Sequence, residues 1–442
     1  MKLRGLIVAT LVLAGLTGTL YWSNHHKPAE TTEASTNVPP KILTLKEDDV
    51  AKIDLKKKGA EELALARNSS GKWQMTVPQQ LGVDQPVVSG IVATLSSLSS
   101  DRLVEEKASN LSQYGLAEPS LEADLTAKDN KTYKVLIGDS TPTGNAVYAK
   151  LDGDPRVFTI ASYSRNSIDK SVNDVRDKRL LTVDQDKISQ VELTAKKQDI
   201  VFGRNKDEWQ IVRPKPQRAD GSKVDDLVRT LVDAKMDLSG TDQDAKKIAA
   251  AFASATPVAT AKVTGESVTQ ELQVRKNKDD YYAKSSAVTG IYKVASSVGS
   301  GLDKDPEDFR NKKLFDFGFD EPNKIEIHDG TKAYFLTRSG EDWWNGSSKK
   351  MDASGVQSLI DQLRELSAAK FVDTGFSTPA LELTVTSNDG KRTEKVLISK
   401  NGESYVARRE NEPSLYQLDA KAISDIQKLA EGMKTAATPM AK

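Results

Sequence analysis

Two hydrophobic patterns alternate along residues 42–434. In the first, polar and apolar residues alternate one by one, as in a half-buried β-strand, and this occurs in residues 52–55, 190–193 and 324–327. In the second, apolar residues are spaced by three and four positions and so share one face of an α-helix. The helical pattern occurs three times, in Val88, Ile91 and Leu95, in Val224, Leu227 and Leu231, and in Val356, Leu359 and Leu363. An aspartate suited to cap a helix N-terminus precedes each occurrence: Asp84, Asp220 and Asp352.

These patterns belong to a unit that is repeated three times. Trp73, Trp209 and Trp343 each stand late in a pair of strand-like runs, and they are 136 and 134 residues apart. A fixed period of this kind indicates tandem structural repeats. We therefore expect the three tryptophans to be equivalent core residues. The predicted modules cover residues 42–183, 184–317 and 318–434.

The connections between strands predict the fold class. The links at Asp129-Asn130 and Asp389-Gly390 are too short for a crossover between parallel strands. Neighbouring strands should therefore pair antiparallel, with helices packed on the sheet. The predicted class is α+β, in three tandem repeats preceded by one transmembrane helix.

Residues 1–22 predict a membrane anchor. Lys2 and Arg4 precede an uncharged run of 18 residues that begins at Gly5 and ends at Trp22. As a helix this run would be about 27 Å long, close to the hydrocarbon thickness of a bilayer. Positive charge ahead of the run keeps the N-terminus cytoplasmic. We therefore expect a single-pass protein of the inner (cytoplasmic) membrane, with its modules periplasmic or otherwise extracytoplasmic.

Residues 23–41 predict a flexible tether, and residues 435–442 a disordered tail. The tether is rich in Thr, Ser, Ala and Pro and holds hardly any large apolar residue, so it cannot bury enough surface to become ordered.

A cleaved signal peptide is the alternative to an anchor. The run ends, however, in Tyr21 and Trp22, which are aromatic residues typical of a membrane interface.

Composition and charge exclude several classes of function. The chain has 442 residues, with 63 Lys and Arg against 63 Asp and Glu, three His and no Cys. A formal net charge of zero gives no long-range attraction to nucleic acid. Without cysteine there is no disulfide, thiol nucleophile or thiolate-bound metal. The sequence also lacks a Walker A motif, so no nucleotide is expected.

No motif in the modules predicts catalysis. His328 is the one histidine there, and it lies beside Asp329 and Gly330, a turn signature that indicates a solvated side chain. Residues 167–170 match the S-x-x-K pattern of serine acyl enzymes, but the accompanying S-D-N and K-T-G elements are missing. We therefore predict no catalytic residue, no cofactor and no metal. Whether two carboxylates converge as in a glycosidase is left open by the sequence.

Trp344 is the aromatic residue best suited to exposure. It follows Trp343 in a strand, so the two side chains point to opposite faces. The equivalent positions of the other modules hold Gln74 and Gln210. Two interpretations stay open: Trp344 binds a glycan or peptide, or a loop shields it.

One charged element occurs in two of the three modules. Residues 174–180 and 308–314 share an Arg-x-Lys-x-Leu pattern that contains Arg176 and Leu180, then Arg310 and Leu314. The third module ends without this pattern. It predicts a junction in which the arginines pair with carboxylates of the following module and the leucines enter its core edge. The alternative is a charged surface helix.

The sequence resembles the bacterial family named domain of unknown function 4340. The likeness is carried by Trp73, Pro78, Tyr114-Gly115-Leu116, Pro119, Leu136-Ile137-Gly138, Tyr148, Phe158, Arg176 and Lys178. The second and third modules lack a Tyr-Gly-Leu sequence. Members look like envelope proteins anchored by one N-terminal helix, and some resemble accessory components of ABC-type transport systems linked to gliding. The resemblance implies no catalytic residue.

Together these observations predict a membrane-tethered extracytoplasmic scaffold or interaction protein without enzymatic activity. Its partner is expected to be an envelope protein, and it should bind neither nucleic acid nor nucleotide. A role beside an envelope ABC-type transport or motility system is what the resemblance implies. The alternative is an envelope hydrolase that uses carboxylates, or a glycan-binding protein that uses exposed aromatic residues.

Overall fold

The computed structural model describes residues 40–206, 208–238 and 244–436. Within these residues the chain forms three β-sheets, one for each predicted module. By its internal contacts the chain divides into two compact units, Met1–Lys178 and Arg179–Lys442. The first unit contains the first sheet, and the second unit contains the other two.

The first module is a nine-stranded sheet in the order β4-β3-β2-β1-β6-β7-β8-β9-β5. Its strands are β1 (Val50–Lys57), β2 (Leu63–Arg67), β3 (Trp73–Val77), β4 (Leu81–Gly82), β5 (Arg102–Glu105), β6 (Leu121–Ala127), β7 (Thr132–Ser140), β8 (Ala146–Leu151) and β9 (Val157–Ala161). Its described helices are α1 (Gln85–Ser96), α2 (Ser162–Ile168), α3 (Val172–Val175) and two 3₁₀ helices, Glu47–Asp49 and Leu111–Tyr114.

The second module is an eight-stranded sheet in the order β13-β12-β11-β10-β14-β15-β16-β17. Its strands are β10 (Gln190–Ala195), β11 (Gln198–Asn205), β12 (Glu208–Arg213), β13 (Gln217–Arg218), β14 (Thr256–Thr264), β15 (Thr269–Asn277), β16 (Asp280–Ser285) and β17 (Ile291–Val294). Its described helices are α4 (Gly221–Val232), α5 (Ala245–Ser254), α6 (Ser296–Leu302) and two 3₁₀ helices, Gln185–Lys187 and Pro306–Phe309.

The third module is an eight-stranded sheet in the order β20-β19-β18-β22-β23-β24-β25-β21. Its strands are β18 (Lys324–Asp329), β19 (Lys332–Ser339), β20 (Asp342–Asn345), β21 (Lys370–Val372), β22 (Leu381–Ser387), β23 (Arg392–Asn401), β24 (Ser404–Arg409) and β25 (Leu415–Leu418). Its described helices are α7 (Ala353–Glu365) and α8 (Ala420–Glu431).

All three modules follow one plan, in which the opening strand lies in the middle of the sheet. β1, β10 and β18 each pair with the next strand on one side and with a strand from the second half of the module on the other. The pairs between named strands described for the three sheets are antiparallel. The prediction of an α+β fold with three antiparallel repeats is therefore confirmed.

The long helix of each module begins and packs as its sequence pattern predicts. The carboxylates of Asp84, Asp220 and Asp352 each accept a hydrogen bond from a backbone N–H in the first turn of α1, α4 and α7. The nine apolar residues of the predicted helix faces are all buried in the cores. Among the described residues, no helix has the length and apolar character needed to cross a bilayer. The run from Gly5 to Trp22 lies outside the described residues.

Each module starts with a leading segment, which comprises residues 41–45, 179–183 or 313–317. Its first residue bridges to the loop after the long helix, in the pairs Lys41–Ser99, Arg179–Lys235 and Lys313–Ser367. The next residue is buried in the core of the module that follows: Ile42, Leu180 or Leu314. The predicted boundaries after residues 183 and 317 are therefore wrong, because the apolar residues ahead of them belong to the following core. Lys41 is likewise part of the first module and not of a tether.

Each module ends with a closing segment, which contains Arg176, Arg310 or Thr435. This segment pairs with the residue that precedes the capping aspartate of the long helix. The three bridges that it forms are Val83–Arg176, Ala219–Arg310 and Met351–Thr435. In the third module the backbone N–H of Ala436 also donates to the carbonyl of Lys350 at 2.9 Å. The prediction of a disordered tail is therefore wrong for Thr435 and Ala436, which complete the module, and residues 437–442 lie outside the described residues.

Candidate functional site

The three repeated tryptophans lie in three separate hydrophobic cores. Trp73, Trp209 and Trp343 are 4%, 5% and 7% exposed. Arginines cover two of the indole rings, at 4.5 Å from Arg67 to the centroid of Trp73 and at 5.4 Å from Arg204 to that of Trp209. Because each tryptophan is buried in the core of its own module, these residues stabilise the modules.

Trp344 is partly exposed, on the face of β20 opposite to Trp343. It pairs with Thr337 of β19, and Phe335 lies two residues before Thr337 on the same face. The exposed imidazole of His328 makes an edge-to-face contact with Phe335, with 5.4 Å between the ring centroids. The prediction of a solvated His328 is thus confirmed. The third module therefore carries aromatic side chains on its outer face.

Arg310 reaches the third module, but not through a carboxylate. Its guanidinium binds Glu307 of its own module at 2.8 Å, stacks on the ring of Phe371 at 3.4 Å and donates to the hydroxyl of Ser414 at 3.2 Å. The predicted pairing with an acidic residue of the following module is wrong. The bridge to Ala219 fixes the backbone of Arg310 to its own module, and the third module presents an aromatic ring at this point.

The other residues of the Arg-x-Lys-x-Leu pattern divide between two modules. Arg176 belongs to a closing segment and bridges to Val83 of its own module. Leu180 and Leu314 belong to leading segments and are fully buried in the second and third cores. The pattern thus joins the end of one module to the start of the next.

A cluster of charged residues joins the second and third modules around Arg218, the last residue of β13. Its guanidinium donates to the carboxylate of Asp316 at 2.5 Å and to the carbonyl of Lys313 at 2.5 Å. It also donates to the hydroxyl of Tyr416 at 3.0 Å, and its Nε lies 2.8 Å from the carboxylate of Glu412. Arg218 is the one member of this cluster from the second module, and its side chain is 19% exposed.

Arg409 of β24 binds the same acidic residues from within the third module. Its guanidinium donates to Asp316 at 3.2 Å and to Glu394 at 2.9 Å, and its Nε lies 2.9 Å from Glu412. Arg392 lies 3.4 Å from Glu394, whose side chain is 5% exposed. We call the whole set the junction cluster: Arg218, Asp316, Arg392, Glu394, Arg409, Glu412 and Tyr416.

The charges of the junction cluster balance. Burial alone would lower the pKa of Arg218, but Asp316, Tyr416 and Glu412 together raise it above its ordinary value. Burial raises the pKa of Tyr416, and the nearby Glu412 adds to this rise against the opposing effect of Arg218. Tyr416 is therefore neutral, and its hydroxyl donates to Glu412 at 2.7 Å. Three arginines thus meet three carboxylates, with a neutral phenol between them.

The second module holds uncharged residues at positions equivalent to these. The backbone N–H of Thr182 donates to the side chain of Gln270 at 2.8 Å, as that of Asp316 donates to Glu394 at 3.0 Å. The hydroxyl of Ser285 donates to the carbonyl of Leu180 at 2.5 Å, as Arg409 donates to that of Leu314 at 2.9 Å. The two hydrogen bonds are therefore equivalent in both modules, while of these two modules the third alone carries charges at these positions.

The sequence comparison assigns this repeat to a family. Two stretches, residues 73–250 and 209–380, match the family model described as Domain of unknown function (DUF4340), and together they cover more than half of the chain. The chain belongs to the DUF4340 family. The two matches begin at Trp73 and Trp209, so each match runs from one module into the next. No curated protein and no solved structure matches the chain.

Four of the residues that carry the DUF4340 resemblance meet at one place in the first module: Tyr114, Gly115, Gly138 and Tyr148. A Cβ at Gly138 would lie 2.1 Å from the carbonyl oxygen of Tyr114, so only glycine allows this approach. Gly115 adopts a φ of +66°, and it ends the short helix that contains Tyr114. The ring of Tyr114 lies 4.9 Å from that of Tyr148, and its hydroxyl donates to Glu105 at 2.8 Å. In this DUF4340 module, the motif thus has a packing role.

A cavity of about 250 Å³ opens beside the junction cluster. Its lining combines residues of the second module with the start and β23 of the third: Glu208, Trp209, Gln210, Arg218, Ala219, Gly221, Asp225, Asn311, Asp316 and Arg392. The indole N–H of Trp209 donates to Asp225 at 2.8 Å. Ligand cavities in proteins are usually about 300–1,000 Å³, so this one is small for a substrate.

The chemistry of the junction cluster is that of a structural joint. An acid–base catalyst needs a carboxylate that can exchange a proton with a substrate, whereas each carboxylate here is bound by arginine. In the part of the chain that the structure describes, no three His, Asp or Glu side chains converge as a metal site. The arrangement can hold two DUF4340 modules in one fixed position.

The sequence patterns did not indicate Arg218 or its partners. A single arginine in a two-residue strand gives no periodic signal, and its partners are 95–198 residues away in the chain. The aligned modules do differ in charge at these positions. The first DUF4340 module has Gly82 at the position of Arg218, and the second has Thr182 and Gln270 at the positions of Asp316 and Glu394. Charged residues that occur together at aligned positions, where the other modules have uncharged residues, indicate a common contact.

Proposed function

We propose that this DUF4340 chain is a non-enzymatic scaffold of the cell envelope, in which the modules form an arm for contacts with other proteins. The observation that carries the proposal is the junction cluster. Its arginines and carboxylates bind one another between the second and third modules. Charges used in this way suit a fixed joint and leave no group free for turnover.

The arm is attached to the inner membrane by the run that begins at Gly5 and ends at Trp22, and its modules face the extracytoplasmic side. The support for this is the sequence: an uncharged run of membrane-spanning length follows Lys2 and Arg4. The absence of cysteine suits any redox compartment.

The partner of the arm is an envelope protein of an ABC-type transport or motility assembly. This part of the proposal is supported by the resemblance of the family to accessory components of such systems. It adds a biological context and no residue-level contact.

The test of this location is protease treatment of spheroplasts that express the full chain. The proposal expects the chain in the membrane fraction and the modules digested by external protease. A control variant with Lys2→Glu and Arg4→Glu should place fewer chains in this orientation, because it removes the positive charge ahead of the run. Protected modules, or a mature chain that starts beyond Trp22, would contradict the proposed anchor.

The scaffold role is tested by affinity purification of the full chain from solubilised membranes. An envelope protein should copurify with the wild type and not with a chain that lacks residues 313–436. Equal recovery with both chains would show that the third module is not needed for the contact.

A further inference from the structure

We propose that the third module carries a docking face for the first module of a second copy of this chain. The inference names a partner for the proposed scaffold and rests on that function. It starts from a cross-strand pair in the second module, Gln210 of β12 opposite Arg218 of β13. Directly opposed residues of an antiparallel pair point to the same face. From this face Arg218 binds Asp316 and Glu412 of the third module.

The same pair in the third module is Trp344 and Lys350. Trp344 is partly exposed, and Lys350 is exposed and binds Asp342 of its own hairpin at 2.9 Å. In the first module the pair is Gln74 and Gly82. The third module therefore has an aromatic side chain and a cation at the positions through which the second module contacts the third. Aromatic residues that become buried when two proteins bind provide much of the affinity of protein interfaces. We call the face with this pair the trailing face of a module.

The surface that docks on a trailing face is the leading face, which in the third module carries Asp316, Glu394, Arg409 and Glu412. We aligned the modules by strand register and by the bridges of the leading segments. The residues of the first module at the four equivalent positions are Thr44, Tyr133, Leu151 and Asp154. Tyr133 and Leu151 are hydrophobic residues that the first core covers only in part. At Tyr133 and Leu151 the leading face of the first module is thus apolar where that of the third is charged, and this part of it suits the aromatic ring of Trp344.

The charges at one pair of positions support the same partner. At the junction of the second and third modules, the basic Arg218 meets the acidic Glu412 at 2.8 Å. The positions equivalent to these on the third trailing face and the first leading face hold Lys350 and Asp154, again one basic and one acidic residue. Arg156 binds Asp154 at 2.7 Å within the first module, as Arg409 binds Glu412 at 2.9 Å within the third. Docking of one copy on the next would therefore repeat the contact that Arg218 makes within the chain.

The test uses cysteine cross-linking, for which this chain is suited because it contains no cysteine. Two full-length chains with different tags, one with Lys350→Cys and one with Asp154→Cys, are expressed together and treated in membranes with a short bismaleimide. The proposal expects a cross-linked dimer that contains both tags. Chains with Lys350→Cys alone should give no dimer, because a head-to-tail contact does not bring two copies of one position together.

Trp344→Gln provides the specificity control, since glutamine is the residue of the second module at this position. Added to the Lys350→Cys chain, it should lower the dimer yield about tenfold or more, as loss of an aromatic anchor does. Phe319→Ser, which removes a 97% exposed aromatic residue of the same module, should leave the yield unchanged.

No mixed dimer, or an equal yield with Trp344→Gln, would overturn the proposal. If no mixed dimer forms and the chain instead binds peptidoglycan sacculi through Trp344, the proposal is overturned and the ligand of this face is a glycan. Loss of the membrane anchor would contradict the proposed function and not this contact.

Discussion

At the scale of the residue, two adjacent tryptophans have opposite roles. Trp343 is 7% exposed in the third core, while Trp344 faces outwards from the same strand. The alternation of side chains along a strand predicts this difference from the sequence. What the alternation cannot predict is the purpose of the outward ring, because that depends on which surface lies opposite. The register with Gln210 and Lys350 supports the docking face that we propose for this ring.

The burial of the tryptophans predicts how each module responds to truncation. Trp73→Ala, Trp209→Ala and Trp343→Ala should each cost about 3–5 kcal/mol, because each leaves a large cavity in a core. Trp344→Ala should cost far less. Urea unfolding of the four variants would measure these differences. Small and equal losses at all four positions would show that the repeat register does not describe the cores.

Asp124 of β6 predicts a dependence of stability on pH in the first module. Burial raises the pKa of this carboxyl, although Lys134 and Lys56, each with Nζ 3.9 Å from it, act in the opposite direction. A carboxyl group with a raised pKa binds its proton more tightly in the folded than in the unfolded chain, so its ionisation costs stability as pH rises above the unfolded value of about 3.9. Asp124→Asn should therefore raise the unfolding midpoint at neutral pH, and this gain should shrink as the solution is acidified.

The control for Asp124 is Asp280→Asn in the second module. Asp280 is not a neighbour of Asp124 and binds Lys293 at 2.7 Å, so its replacement should give no gain in stability. Thermal unfolding followed by circular dichroism between neutral and acid pH would compare the two variants. A lower midpoint for Asp124→Asn at neutral pH would mean that its two lysines outweigh burial.

At the scale of the element, the sequence predicts the repeated parts better than their boundaries. The caps and buried faces of α1, α4 and α7 follow from local spacing, which acts within a few residues. The predicted bounds at residues 183 and 317 leave Leu180 and Leu314 in the preceding modules, although the Arg-x-Lys-x-Leu pattern predicts that both leucines reach the core edge of the following module. Their place in the following core depends on pairing with a loop that lies about 55 residues further along the chain.

The leading segments should act on the module that follows them. Leu180→Ala and Leu314→Ala should each cost about 2–5 kcal/mol, because both side chains are fully buried. Hydrogen exchange read by mass spectrometry should show faster exchange in β10–β17 for the first variant and in β18–β25 for the second. Faster exchange in β1–β9 after Leu180→Ala would contradict the assignment of this residue to the second module.

At the scale of the whole molecule, DUF4340 modules with one backbone plan carry different chemistry on their leading faces. The first is apolar at Tyr133 and Leu151, the second is neutral at Gln270 and Ser285, and the third is charged at Glu394 and Arg409. Different faces on similar modules restrict which modules can pair, since mismatched charges would be buried without partners. The joint between the second and third modules is therefore specific to that pair.

The most direct test of this account is the unfolding of the full chain with Arg218→Ala. Removal of one partner from a buried ion cluster typically costs about 3–5 kcal/mol, while Arg229→Ala, which breaks an exposed pair with Asp226, should cost less than about 1 kcal/mol. Hydrogen exchange across a urea series would follow β10–β17 and β18–β25 separately. The account predicts that both sheets unfold together in the wild type and at different urea concentrations in Arg218→Ala. Separate unfolding in the wild type, or joint unfolding in the variant, would contradict it.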